Sequence, residues 1–157
     1  MNHDIVLIED TRQQADKHVL KHNYFDANNI KVVRSKLPVG DYADMKNMSV
    51  VIDTKKDIQE IISNVTSQHE RFRAECDLAA ECGIQLIILI ENKNNINEIK
   101  DLAGWYNWRL KRNKRATTGK QLMKILYTME EKHSVKFAFC RPEEAGEKIL
   151  ELLNLKH

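Results

Sequence analysis

Short apolar runs of strand length occur along the first two thirds of the chain and again near its end. These runs cover residues 5–8, 30–36, 50–55, 84–90 and 135–139. The fourth of them, IQLIILI, is continuously apolar, which is typical of a central strand covered on both faces. In the last of them, Val135, Phe137 and Phe139 alternate with other residues, which predicts a half-buried strand.

Other segments carry apolar residues at helical spacing. The clearest stripe has apolar side chains at positions i, i+3, i+4 and i+7, another ends shortly before Gly83, and a third follows Thr118 and Gln121, which are spaced as a capping box. Helices are therefore predicted at residues 58–65, 72–80 and 122–129, with a terminal helix after Pro142. Strands that come first and then alternate with helices predict an α/β domain with a mixed central sheet flanked by helices.

Composition and length place few limits on function. The 157 residues are enough for one domain, and we expect residues 1–157 to form it. The net charge of +2 is close to neutral and by itself favours no class of partner. The N-terminus lacks a secretory signal pattern, and no apolar segment reaches the roughly 20 residues that span a bilayer. The three cysteines lack the spacing of metal ligands. These features predict a cytoplasmic protein with reduced thiols and no membrane segment.

Two charged side chains lie inside the third predicted strand. Because side chains alternate along a strand, Asp53 and Lys55 project from the same face, roughly 7 Å apart. Asp41 follows a glycine and precedes Asp53 by twelve positions, and a hairpin-like return through residues 46–47 would bring it alongside. Asp10, at the end of the first predicted strand, would join the same edge of the sheet.

Convergent carboxylates beside an ammonium group have the composition of a hydrolytic metal site. Their oxygen atoms suit a hard cation such as Mg²⁺, which would neutralise a phosphate and lower the pKa of a bound water. Lys55 would stabilise the negative charge that develops at phosphorus. The alternative is an exposed ion pair at a strand end with Asp41 as a turn residue, and for an isolated Asp-x-Lys this simpler interpretation is the more frequent one.

Four blocks of sequence occur in the order seen in a known nuclease family. They are IEDTRQ (residues 8–13), LPVGDY (37–42), VIDTKKDIQEI (51–61) and HERFRAEC (69–76). Over residues 5–91 the chain resembles the XPF-type nuclease domain of the PD-(D/E)XK superfamily, whose signature is Gly-Asp, a spacer, Glu-Arg-Lys and a downstream Asp. The resemblance implies a restriction-endonuclease-like core and metal-dependent cleavage of DNA at branch, flap or fork junctions, in DNA repair or recombination.

The resemblance also implies roles for residues of this chain. The implied catalytic residues are Asp10, Asp41, Asp53 and Lys55. The implied ligands of Mg²⁺ or Mn²⁺ are Asp41, Asp53 and the backbone carbonyl of Thr54, and the implied DNA contacts are Arg12 and Arg71. A homodimer is a further expectation from the family, whereas TTGKQ lacks the residues of a phosphate loop, so no nucleotide cofactor is expected.

Three positions depart from the family signature. Asp53 replaces the glutamate, Thr54 the arginine and Gln59 the downstream aspartate. These departures motivate an alternative, a catalytically silent DNA-binding or dimerisation module, and hydrolysis of RNA or nucleotides stays open as a third function. From the length of the chain we expect neither the helicase nor the helix-hairpin-helix part of the family, and a compact nuclease of this kind would suit a virus or a mobile element.

The segment WYNWRLKRNKR, residues 105–115, concentrates basic and aromatic side chains. Its basic residues predict a DNA-binding surface and are Arg109, Lys111, Arg112, Lys114 and Arg115. The tryptophans permit two interpretations, because Trp105 and Trp108 could stack on splayed bases or pack in the core.

Overall fold

A six-stranded mixed sheet forms the centre of the structure, a computed structural model that describes residues 4–14 and 17–155. Its strands are β1 (Val6–Glu9), β2 (Lys31–Arg34), β3 (Tyr42–Asp44), β4 (Asn47–Lys55), β5 (Gln85–Glu91) and β6 (Val135–Cys140). They lie in the order β2-β1-β3-β4-β5-β6, in which β3 is antiparallel to both β1 and β4 and the other neighbours are parallel. The predicted α/β class with a mixed sheet is confirmed.

The helices pack on this sheet, and four of the five α-helices were predicted. The α-helices are α1 (Val19–Ala27), α2 (Ile58–Val65), α3 (His69–Glu81), α4 (Gly119–Lys132) and α5 (Ala145–Leu152), with 3₁₀ helices at Ile99–Gly104, Trp108–Lys111 and Pro142–Glu144. Helix α2 has the predicted bounds, whereas α3 and α4 each begin three residues before the predicted stretch. Asp57 caps α2 by accepting a hydrogen bond of 2.8 Å from the backbone N–H of Glu60. Thr118 and Gln121 form the predicted capping box of α4. In the part of the chain that the structure describes, no helix has the length and apolarity needed to cross a bilayer.

Different helices cover the two faces of the sheet, which gives the domain three layers. Helices α2, α3 and α4 cover one face, where Val51 belongs to the same apolar cluster as Ile61. Helices α1 and α5 cover the other face, where Ile52 belongs to a second cluster with Phe25. Neighbouring residues of β4 therefore point to opposite faces, so alternation directs Asp53 and Lys55 toward the side of α2, α3 and α4.

One strand and one α-helix were not predicted from the sequence. Strand β3 has three residues and precedes the predicted hairpin-like return at residues 46–47, and β4 begins at Asn47, three residues before the predicted strand. Helix α1 lacks an apolar stripe, because its buried residues are Phe25 and Lys21. Lys21 is buried because its Nζ pairs with the Oε2 of Glu91 at 2.7 Å, an interaction that hydrophobic periodicity does not report.

Candidate active site

A tight turn before β3 brings the first carboxylate to the sheet. Gly40 has φ of +72°, a backbone conformation that residues other than glycine rarely adopt. A Cβ atom at this position would lie 2.5 Å from Cγ1 of Val51. The next residue, Asp41, donates its backbone N–H to the carbonyl of Ile52 at 2.8 Å, which fixes it beside β4. Glycine at this position is therefore required for the close approach that places Asp41 in the site.

Asp41 lies against the residues at the end of β4. One of its carboxylate oxygens, Oδ2, accepts hydrogen bonds from the backbone N–H of Thr54 at 2.7 Å and from its hydroxyl at 2.9 Å. Burial raises the pKa of Asp41 well above its ordinary value of 3.8, and the neighbouring carboxylate of Asp53, within hydrogen-bonding reach, raises it further. The hairpin predicted from the sequence thus brings the two aspartates together, as expected.

Lys55 supplies the positive charge beside this pair. Its Nζ lies 3.1 Å from Oδ2 of Asp53, and both side chains are largely buried. Burial lowers the pKa of Lys55, but the attraction of Asp53 outweighs burial and raises the pKa above its ordinary value of 10.5. Lys55 is therefore held as an ammonium ion inside the site.

Asp10 joins the same edge of the sheet, but its oxygens are already hydrogen-bonded. Its Oδ2 accepts from the backbone N–H of Arg12 at 3.0 Å and from Nε at 2.7 Å, and its Oδ1 accepts from the backbone N–H of Leu37 at 2.8 Å. Burial raises the pKa of Asp10, yet these hydrogen bonds outweigh burial and leave the pKa below 3.8. The contacts give Asp10 a role in positioning Arg12, and its direct catalytic role stays a prediction.

Glu75, on α3, is an acidic residue of the site that the sequence reasoning missed. Burial raises its pKa, the charge of Asp53 raises it further, and Lys55, Arg12 and Arg71 partly offset these effects, which places the pKa at about 7. Glu75 follows Arg71 by four positions, so the two lie on one face of α3. That spacing, combined with the predicted role of Arg71, is the signal that could have identified Glu75.

These side chains line one open cavity with a volume of about 600 Å³. Its charged lining residues are Asp10, Arg12, Lys17, Asp41, Asp53, Lys55, Arg71 and Glu75. The structure therefore brings together the predicted catalytic residues, Thr54 and two of the predicted DNA contacts. The five basic residues of the segment 105–115 lie outside this cavity.

A divalent cation fits the pair of aspartates by charge and ligand type. Across residues 4–14 and 17–155, no three His, Cys, Asp or Glu side chains form a group arranged to hold a metal ion. Asp41 and Asp53 still offer two hard oxygen ligands whose mutual repulsion a cation would relieve. The Oδ2 of Asp53 is also buried, with the Nζ of Lys55 at 3.1 Å as its ion-pair partner. The backbone carbonyl of Thr54 stays a predicted third ligand.

Gln59, which stands where the family has an aspartate, does not line the cavity. Its side-chain N–H donates to the side-chain oxygen of Asn107 at 2.8 Å, and Asn107 is 1% exposed. Asn107 in turn donates to the carbonyl of Thr117 at 2.8 Å. Gln59 therefore anchors the basic segment to α2, a structural role that the local sequence pattern does not reveal.

The two tryptophans of the basic segment differ in their surroundings. Trp105 is partly buried and packs against the apolar cluster under α2, α3 and α4, whereas Trp108 is 54% exposed. Arg109 places its guanidinium carbon 5.5 Å from the centroid of the Trp108 ring. Of the two interpretations left open by the sequence, core packing applies to Trp105, and Trp108 is available for contacts with a ligand.

Solved structures with the same fold come from the family that the sequence blocks resemble. The mixed sheet with flanking helices matches the fold of XPF from Aeropyrum pernix with a TM-score of 0.64 and 14% identity, over 95% of this chain and 60% of that chain. The same protein in complex with DNA matches with a TM-score of 0.63 and 14% identity, over 96% of this chain and 64% of that chain. The present chain thus spans less than two thirds of the length of these structures.

A family model described as the ERCC4 domain matches residues 9–150. The chain belongs to the ERCC4 domain family, which is a family of nucleases that in general depend on divalent metals. The predicted XPF-type nuclease domain is thereby confirmed. A comparison with curated protein sequences finds no match.

Proposed function

We propose that this chain is a Mg²⁺- or Mn²⁺-dependent endonuclease that hydrolyses phosphodiester bonds of DNA. The observation that carries the proposal is the convergence of Asp41, Asp53 and Lys55 in one open cavity. Membership of a nuclease family supports hydrolysis, and the DNA complex of a structure with the same fold supports DNA as the ligand. Branched, flap or fork DNA is the proposed substrate, in keeping with the sequence blocks.

Asp41 and Asp53 hold the cation in this proposal. A bound divalent cation would polarise the phosphate and lower the pKa of the attacking water. The hydrogen bonds from Thr54 fix one oxygen of Asp41, so that carboxylate is oriented before any ligand arrives. Thr54 thus orients Asp41 through its hydroxyl and backbone N–H, independently of any contact between its carbonyl and the metal.

The remaining charged residues bind and stabilise the substrate. The oxygen of water bonds to phosphorus and gives up a proton to solvent, the bond from phosphorus to the leaving oxygen breaks, and the leaving oxygen takes up a proton from solvent. The buried ammonium of Lys55 stabilises the charge that develops on the phosphate oxygens during this exchange. Arg12, held by Asp10, and Arg71 line the same cavity and are placed to bind flanking phosphates.

Cleavage assays on flap, fork and linear DNA with Mn²⁺ test the proposal. We expect wild-type protein to cut, and Asp41→Asn and Asp53→Asn to lose at least about 100-fold in rate, because each loses a negatively charged ligand without a change in shape. Asp26→Asn, at an exposed site on α1, is the matched control and should cut at the wild-type rate. Equal cutting by Asp53→Asn and wild type would reject this site, and an RNA version of each substrate tests hydrolysis of RNA.

A catalytically silent DNA-binding or dimerisation module is the second candidate. It is favoured by the ion pair between Asp53 and Lys55, which already neutralises one carboxylate, and by the replacement of family residues by Thr54 and Gln59. Such a module would bind DNA without cutting it, and its affinity would not depend on Mn²⁺. Absence of cleavage on every substrate, with DNA binding intact, would establish this alternative.

A further inference from the structure

A second cavity lies between α2 and the basic segment, away from the carboxylates. This groove, with a volume of about 540 Å³, is lined by Gln59 and Ile62 of α2 and, from the basic segment, by Asn107, Trp108 and the arginines 109, 112 and 115. It shares no lining residue with the cavity that contains Asp41, Asp53 and Lys55, which we call the carboxylate cavity. We refer to the second cavity as the arginine groove.

Hydrogen bonds fix the backbone at the floor of the arginine groove. Asn107 is 1% exposed and connects three parts of the chain, since it accepts from Gln59, donates to the carbonyl of Thr117 and also accepts from the backbone N–H of Arg109 at 3.0 Å. These hydrogen bonds tie both ends of the segment to each other and to α2. The side chains on its surface are therefore presented from a fixed backbone.

The charged residues that line the groove are three arginines. Arg109, Arg112 and Arg115 are exposed, and within the described part of the chain none of the three forms a salt bridge. Among the described residues that line the groove, none is acidic. Unpaired guanidinium groups at this density attract an anionic polymer and bind its phosphates.

An exposed indole distinguishes this surface from one that binds phosphates alone. Trp108 is 54% exposed in the groove and lies against the guanidinium of Arg109. A base inside a duplex is stacked on its neighbours and cannot stack on a side chain, whereas an unpaired base can. The combination of an exposed indole with three unpaired arginines therefore favours single-stranded over double-stranded nucleic acid.

The chain passes from the carboxylate cavity to the groove at the start of α2, because Lys55 lines the first and Gln59, four positions later, lines the second. The cap of α2, Asp57, follows Lys55 by two positions, and the eight residues of the helix extend for roughly 12 Å. That length corresponds to about four stacked nucleotides at 3.4 Å each. A strand that leaves the carboxylate cavity along α2 would therefore reach the groove within a few nucleotides.

We propose that the arginine groove binds an unpaired strand of nucleic acid, with a base stacked on Trp108 and its flanking phosphates bound by Arg112 and Arg115. This inference deepens the proposed function and rests on DNA as the substrate. It assigns the groove to the unpaired arm of a branched substrate, so that the groove selects the structure that is presented to Asp41 and Asp53.

Binding measurements without divalent metal test the inference, because they do not require cleavage. Fluorescence anisotropy compares a labelled single strand of about 20 nucleotides with a blunt duplex of the same length. We expect Trp108→Ala to weaken binding of the single strand about tenfold and to change binding of the duplex less than about twofold, since stacking is lost and charge is kept. Trp108→Phe should retain most of the affinity.

Two controls separate stacking from general charge and from misfolding. Tyr127→Ala removes an exposed aromatic side chain from α4 and should leave the affinity unchanged. The double variant Arg112→Gln with Arg115→Gln should reduce the slope of log affinity against log salt concentration by about 1.4, whereas Trp108→Ala should not alter it. Unchanged thermal unfolding of Trp108→Ala confirms that the variant is folded.

Three outcomes would overturn the inference. The first is equal affinity of Trp108→Ala and wild type for the single strand, and the second is an equal loss of affinity for the single strand and the duplex in Trp108→Ala. The third is loss of self-association in Trp108→Ala with strand binding intact, which would make the groove a protein interface. The proposed cleavage is tested separately, because Asp53→Asn should bind the single strand as wild type does. If wild-type protein did not cut DNA, the dependence of single-strand binding on Trp108 could still be observed. If Trp108→Ala bound the single strand as wild type does, cleavage of DNA could still be observed.

Discussion

At the scale of single residues, the carboxylate cavity brings like charges close together, and their repulsion reduces the stability of the folded domain. Asp41 and Asp53 raise each other's energy when both are ionised, and Lys55 offsets only part of that repulsion. Glu75 adds a further carboxylate to the cavity. A site of this kind gains stability when a cation binds, so its strain in the free protein accords with a metal-binding function.

A glycine makes this arrangement possible, and its replacement is the first prediction. Gly40→Ala should destabilise the protein by about 2–3 kcal/mol, because it adds both the strain of a positive φ and a contact with Val51. Gly83→Ala is the matched control, since Gly83 has φ of +69° but no atom within 4 Å of the added Cβ, and it should cost only about 1 kcal/mol. Denaturant unfolding measures both, and equal losses would contradict the role of the close approach.

At the scale of elements, a buried carboxylate on β1 holds four elements together. Glu9 accepts hydrogen bonds from Tyr42 of β3 at 2.6 Å and from Arg34 of β2 at 2.7 Å, and it contacts the ring of His22 of α1 at 2.7 Å. Its exposure is 1%. This network fixes the end of β1, the strand that leads into Asp10 and the carboxylate cavity.

The network predicts a specific dependence of stability on pH. Burial raises the pKa of Glu9, but the hydrogen bonds from Tyr42 and His22 outweigh it and leave the pKa below its ordinary value of 4.5. Ionised Glu9 therefore stabilises the fold above about pH 4.5, and that stabilisation is lost as the pH falls through the lower pKa of the folded state.

Replacement of Glu9 by glutamine measures this contribution. We expect Glu9→Gln to destabilise the protein by about 1–3 kcal/mol at neutral pH, because the charge-assisted hydrogen bonds are weakened. The difference from wild type should shrink as the pH falls below 4.5, where wild-type Glu9 also becomes protonated. Denaturant unfolding at several pH values checks this, and a difference that stays constant or grows on acidification would contradict it.

The same scale shows which elements a sequence can reveal. The apolar stripe of α2 gave its bounds, and Thr118 with Gln121 marked the start of α4, because both signals are local. Alternation in β4 placed Asp53 and Lys55 on one face, and a hairpin brought Asp41 beside them. Periodicity and turn chemistry therefore predicted that these side chains lie close together, whereas their catalytic and metal-binding roles were implied by the family resemblance and stay predictions.

Contacts between distant residues account for what the sequence did not reveal. Helix α1 is held by the ion pair of Lys21 with Glu91 and by the buried ring of Phe25, and these two residues do not form a periodic apolar pattern. Glu75 enters the cavity only through the packing of α3 against the sheet. The bond from Gln59 to Asn107 joins residues 48 positions apart, which no local pattern predicts.

At the scale of the whole molecule, a near-neutral total charge conceals two surfaces of different character. The net charge of +2 is the balance of 25 basic and 23 acidic residues over the whole chain. The carboxylate cavity combines four carboxylates with four basic side chains, whereas the arginine groove has three arginines and no acidic residue among its described lining residues. One surface suits a cation and the scissile phosphate, and the other suits the phosphates and bases of an unpaired strand. Their connection through α2 makes the domain a candidate for coupling recognition of strand structure to cleavage.

The central claim is that Asp41 and Asp53 together bind one divalent cation, and calorimetric titration with Mn²⁺ tests it most directly. We expect saturable binding to wild type and to Asp26→Asn, and a loss of at least about tenfold in affinity in Asp41→Asn and in Asp53→Asn, because each variant removes a charged ligand. Thermal unfolding of the same variants verifies that they are folded. Wild-type affinity for Mn²⁺ in both cavity variants, or no saturable binding to folded wild type, would contradict the account.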